Sequence, residues 1–76
     1  MKMLVNAFKK ENLEELTELL PLVKMEDRKI ILSEIVRYYY LAKDNSKEEK
    51  ALAYIKSVFI LLQKNGINIF DTYYHS

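Results

Sequence analysis

Cysteine is absent from this 76-residue chain, and glycine, proline and histidine occur once each. Without cysteine there is no disulfide framework, no thiolate zinc site and no thiol nucleophile. One glycine cannot build a glycine-rich phosphate loop. The single His75 has Asp71 four residues before it and no second imidazole, too little for a metal site or for a Ser/His/Asp arrangement. The sequence therefore predicts no enzyme, no cofactor, no metal and no small-molecule substrate. The shortage of helix breakers has a structural consequence too. Only Pro21 and Gly66 can stop a helix outright, so the expected fold is all-α.

A strong charge bias is also missing. Twelve basic residues against eleven acidic ones leave a net charge of +1. The densest basic cluster, Lys9 and Lys10 with Lys2 nearby, is followed at once by Glu11, Glu14 and Glu15, so no basic stripe for nucleic acid forms. Long apolar runs are absent as well. The segment before Lys9 is too short for a signal-peptide core, and Ala51 to Gln63, interrupted by Lys56, falls short of the roughly 20 residues a membrane span needs. A soluble protein without nucleic-acid or membrane partners is expected, with the cytoplasm as its compartment.

What the chain does hold is apolar residues, half of the total. Leu4, Ala7 and Phe8 predict a first short helix over about residues 2 to 10. Asn12, three residues before Glu15, has the form of a capping box and starts a second helix at Leu13, which shows Leu13, Leu16, Leu20 and Val23 on one face. Pro21 ends it near Leu20, and residues 21 to 25 form a connector with apolar side chains turned inward. A third helix runs from Asp27 to about Lys43, its acid at the N-terminus offsetting the backbone dipole. Ser46 with Glu49 has the form of a second capping box, starting a fourth helix at Lys47 that Asn65-Gly66 closes. Ile67 to Phe70 then alternate as an extended tail. The layout is four helices in two consecutive antiparallel hairpins, with a predicted core of Leu4, Phe8, Leu16, Leu20, Ile31, Ile35, Tyr38, Ile55, Val58, Phe59 and Leu62.

Ala7-Phe8-Lys9-Lys10-Glu11-Asn12-Leu13-Glu14-Glu15-Leu16 resembles the turn between the two helices of an ankyrin repeat, with Glu11-Asn12-Leu13 in place of the usual glycine-containing turn. Leu61-Leu62-Gln63-Lys64-Asn65-Gly66-Ile67-Asn68-Ile69 resembles the end of that family's second helix and the start of its hairpin loop. Asp71 to Ser76 then looks like the approach to a further repeat. The likeness covers about half the chain. It lacks the Thr-Pro-Leu-His signature, and the helix from Asp27 is longer than the family's pattern. The resemblance implies a non-catalytic binding scaffold: a single helical domain over residues 1–76, or the terminal piece of a longer helical-repeat protein.

Function is expected in protein–protein contact. A domain this small hides only about 60% of the surface its unfolded chain exposes, while the third and fourth helices are apolar around most of their circumference. Tyr38, Tyr39 and Tyr40 point about 100° apart. Tyr38 and Tyr39 flank the stripe set by Ile31 and Ile35, and Tyr40 lies nearer solvent. Such rings either complete a core at a helix end or serve as contact anchors. The candidate interface residues are Tyr39, Tyr40, Tyr54, Ile60, Leu61, Phe70, Tyr73 and Tyr74. A homodimer burying about 1,200 to 2,000 Å² is expected. The alternative is a small helical regulator that binds and inhibits an enzyme or toxin. The paired acids Glu14-Glu15, Glu26-Asp27 and Glu48-Glu49 fall in first turns of helices, where they serve the helix dipole.

Overall fold

The computed structural model describes residues 2–68. Within them lie four helices, α1 (Lys2–Lys9), α2 (Leu13–Leu19), α3 (Arg28–Asp44) and α4 (Glu48–Lys64), and no strand among the described residues. α1 packs on α2 and α3 on α4, so the chain forms two successive helical hairpins. α1 also touches α3, and α2 touches α4, which stacks the first hairpin on the second. The shortest dimension, 21 Å, is that of two helix layers, each about 10–12 Å across.

Three helix ends close in the same way. In each, the residue past the helix is left-handed, and the next backbone N–H reaches five residues back. Glu11 has φ 58°, Ser46 φ 56° and Gly66 φ 69°. The N–H of Asn12 donates to the Ala7 carbonyl at 3.0 Å, that of Lys47 to Ala42 at 2.8 Å, and that of Ile67 to Leu62 at 2.9 Å. This closure satisfies carbonyls that a helix end otherwise leaves unpaired.

Asn12 caps α2 as expected, its Oδ1 accepting from the Glu15 N–H at 3.1 Å. The Glu15 carboxylate answers to the Asn12 side-chain amide at 3.3 Å, because the Asn12 backbone N–H is already used to close α1. Ser46 does not cap α4. It is the left-handed residue that ends α3, so its backbone lies outside the range of a cap, and Lys47 takes the cap position without a side-chain bond. The connector also departs from expectation. Leu20–Leu22 and Met25–Asp27 form two 3-10 turns, the first holding Pro21. At three residues per turn Leu20 and Val23 point the same way, inward, which sends Leu22 out. Leu22 is 74% exposed and Met25 is exposed too.

The core joins Leu4, Ala7 and Phe8 of α1 to Leu16, Leu20, Ile31, Ile35, Ala51, Ile55, Val58 and Leu62, and among the described residues no polar side chain is buried with them. Two expected members, Tyr38 and Phe59, are half-buried against its edge. Ile67, past the end of α4, is buried in the core, while the rest of the expected extended tail from residue 69 lies outside the described residues.

Candidate functional site

α3 and α4 each carry apolar side chains in two directions. On α3, Ile31 and Ile35 point into the core, and Leu32, Val36 and Tyr39 sit roughly 60–120° further round at 100° per residue. On α4, Ala51 and Ile55 point inward and Leu52 sits in the matching place. Because the two helices run antiparallel, these offsets turn toward the same side, the one opposite the first hairpin. There Ile35, Val36, Tyr39, Tyr40, Leu52 and Ile55 line a shallow groove. Its rim is open: Tyr40 is 60% exposed, and Val36 and Leu52 are exposed beside it. Tyr39 is half-buried, its ring edge-on to Tyr40 at 5.9 Å between centroids. Among the described residues the second hairpin is therefore an apolar layer covered on one side only.

The structure brings together two of the expected interface residues, Tyr39 and Tyr40, and adds Val36 and Leu52, which sequence reasoning passed over. Their signal is the repeated one-residue offset, 31/32 and 35/36 on α3 with 51/52 on α4. Ile60 is 55% exposed, as expected, but lies about 80° further round α4 than Leu52, in the sector of Lys56 and Lys64. Leu61 packs against the core. Exposed Ile30 and Leu41 project from the other flank of α3. Phe70, Tyr73, Tyr74 and His75 lie outside the described residues.

Tyr54 faces α1. With Phe8 and Tyr38 it forms a three-ring cluster, centroids 5.2 to 5.3 Å apart, which joins the two hairpins. The Tyr54 hydroxyl donates to the Phe8 carbonyl at 2.6 Å, and the Tyr38 hydroxyl donates to the Glu11 carboxylate. Burial, with the bond to Glu11 second, pushes the Tyr38 phenol up to about 12. Burial also raises Tyr54, with the neighbouring Tyr38 second. Both phenols stay protonated at neutral pH, so the cluster acts as hydrogen-bonded packing.

Two further observations bear on chemistry. The cleft between the hairpins, lined by Leu4, Val5, Phe8, Leu16 and their neighbours, holds about 20 Å³, enough for a water. Among the described residues no group of three or more His, Cys, Asp or Glu could hold a metal, and no helix is long and apolar enough to cross a membrane. Two buried side-chain atoms lack hydrogen-bond partners among the described residues: Nε of Arg28, at the start of α3, and Oε2 of Glu48, at the start of α4.

No protein-family model matches the chain, and no curated protein or solved structure is significantly similar to it, so the local likeness to ankyrin repeats gains no support from these comparisons.

Proposed function

We propose that this chain is a non-catalytic protein-interaction module that self-associates through the outer face of α3 and α4. The observation that carries this reading is the groove rimmed by exposed Val36, Tyr40 and Leu52 on a layer whose opposite face is already covered by the first hairpin. A contiguous apolar patch with an aromatic at its rim is what interfaces use. The near-neutral net charge adds little repulsion between copies.

Sedimentation equilibrium of the whole chain at micromolar concentration tests it. The wild type is expected to be dimeric, and Tyr40→Glu to raise the dissociation constant by at least about tenfold, the cost of burying an unpaired charge at an interface, with helix content unchanged by circular dichroism. Ile60→Glu, outside this face, should leave association intact. A wild-type chain that stays monomeric up to concentrations on the order of 100 μM, above typical dimer affinities, overturns the proposal.

A further inference from the structure

Charge is divided between the two hairpins. From Glu11 to Val23, the stretch that holds α2, the chain carries four glutamates and no basic residue. Residues 28–64, the second hairpin, carry eight basic residues against four acidic ones. The division reaches the groove. Lys29 and Lys43 stand seven residues either side of Val36, within about 20° of it round α3, and Lys56 lies about 40° from Leu52 round α4. All three are exposed, and within about 60° of Val36 or Leu52 the one exposed acid is Glu49. A basic rim thus borders the apolar floor. Laying this face on the same face of another copy sets like charge against like, which opposes that arrangement.

The outer side of the first hairpin has the opposite character. Glu14 and Glu18 lie two residues either side of buried Leu16, so both point about 160° away from it. They border an open cleft between α1 and α2, lined by Met3, Asn12, Glu14, Glu15, Glu18 and Leu19. Met3 is exposed there. Lys2 and Lys9 lie about 100–120° round α1 from Met3, which centres the acidic surface on α2.

We propose that the outer face of α3 and α4 takes the outer face of the first hairpin of a second copy, with Tyr40 entering the cleft beside Met3 and Leu19 and the lysine rim meeting Glu14 and Glu18. This rests on the self-association proposed above and names the surface that the second copy presents. The second hairpin then carries a first hairpin on each side. One is its own, through α1 on α3 and α2 on α4, and the other belongs to the next copy. Layers succeed one another as in stacked helical repeats. A contact between two different faces leaves one of each free at the ends, so association continues past its first step, the dimer, into a ring or an open stack.

The test uses full chains in sedimentation equilibrium, with circular dichroism confirming the fold. The wild-type mass is expected to grow past that of a dimer as concentration rises. Glu18→Lys, in the last turn of α2 where a cation suits the helix end, should raise the dissociation constant about tenfold while leaving the groove untouched. Glu14→Gln should raise it by a smaller factor. Mixing variants gives the sharper readout. Tyr40→Glu keeps an intact first hairpin and Glu18→Lys an intact groove, so the two together should form a 1:1 heterodimer within about threefold of the wild-type affinity, and nothing larger. Raising NaCl from about 0.05 to 0.5 M should weaken association several-fold, whereas two lysine-rimmed faces in contact would tighten, a result that overturns the proposal. Glu18→Lys associating like the wild type, with no heterodimer in the mixture while Tyr40→Glu still dissociates, would also overturn it and leave the groove as a face that meets its own copy. A monomeric wild type would overturn both readings.

Discussion

The two hairpins solve the same folding problem with different margins. α1 and α2 have eight and seven residues, too short to be helical alone, and depend on docking one stripe: Leu4, Ala7, Phe8 and Leu16 go inward, while Lys9, Glu14 and Glu18 stay in water. α3 and α4, at 17 residues each, fill that same core and still carry Val36, Tyr40 and Leu52 on a second face. The short hairpin leaves only Met3 and Leu13 exposed among its large apolar side chains, on different helices. The long one has a surface that no other described residue covers, and that asymmetry is why the proposed interaction face falls on the second layer.

Phe8 is where the dependence of one hairpin on the other can be broken. It is buried, and its ring meets Tyr38 of α3 and Tyr54 of α4. Removing it empties the joint between the layers, and Phe8→Ala is expected to cost about 3–5 kcal/mol, a large share of the 5–15 kcal/mol a whole domain has. Urea denaturation followed by circular dichroism and by tyrosine fluorescence should give one coincident transition, because the layers fold as a unit. Separate transitions would show that the long hairpin stands without the short one.

Much of this division was legible in the sequence, for particular reasons. Pro21 and Asn65-Gly66 mark helix ends through backbone chemistry that acts locally, and Leu4, Ile35 or Val58 announce burial through spacing alone. Ser46 was misread because its side chain suits a cap while its place in a three-residue turn demands the left-handed backbone that closes α3. Leu22 and Met25 looked like inward residues until the 3-10 turns, with their period of three, rotated them outward. Val36 and Leu52 were hidden by their neighbours: an apolar residue beside a core residue reads as more core until the other hairpin shows which side is covered.

The joint between the layers also predicts a pH dependence. The Tyr38 phenol is held up to about 12 in the folded chain by burial and by donation to Glu11, against about 10 when unfolded. Below pH 10 both states keep the proton and the contribution is fully present. As pH rises from 10 through 12 the unfolded chain binds fewer protons than the folded one, so stability is lost. Tyr54, raised in the same direction, adds to the decline. Urea midpoints at pH 8, 10 and 11 should therefore fall above pH 10, and Tyr38→Phe should flatten that fall while costing about 1 kcal/mol at neutral pH for the lost hydrogen bond. An equally steep fall in the variant would assign the alkaline loss to other groups.

The smallest effects lie in the turns, where the two hairpins can be compared residue for residue. Three left-handed positions carry Glu11, Ser46 and Gly66, although only glycine adopts that backbone without penalty. A methyl group at Gly66 meets no atom within 4 Å, so Gly66→Ala is resisted by backbone strain alone, on the order of 1 kcal/mol. Ser46→Gly relieves the same strain between the long helices and should stabilise by a similar amount, since no side-chain hydrogen bond from Ser46 is lost. Glu11→Gly relieves it between the short helices but releases the Tyr38 hydroxyl, so gain and loss of about 1 kcal/mol each should nearly cancel. Thermal unfolding of the three variants gives the ordering Ser46→Gly above Glu11→Gly above Gly66→Ala. A Glu11→Gly chain as stable as Ser46→Gly would mean that the Glu11 carboxylate contributes nothing to holding the layers together, leaving the ring contacts of Phe8 and the bond from Tyr54 as the ties across that corner.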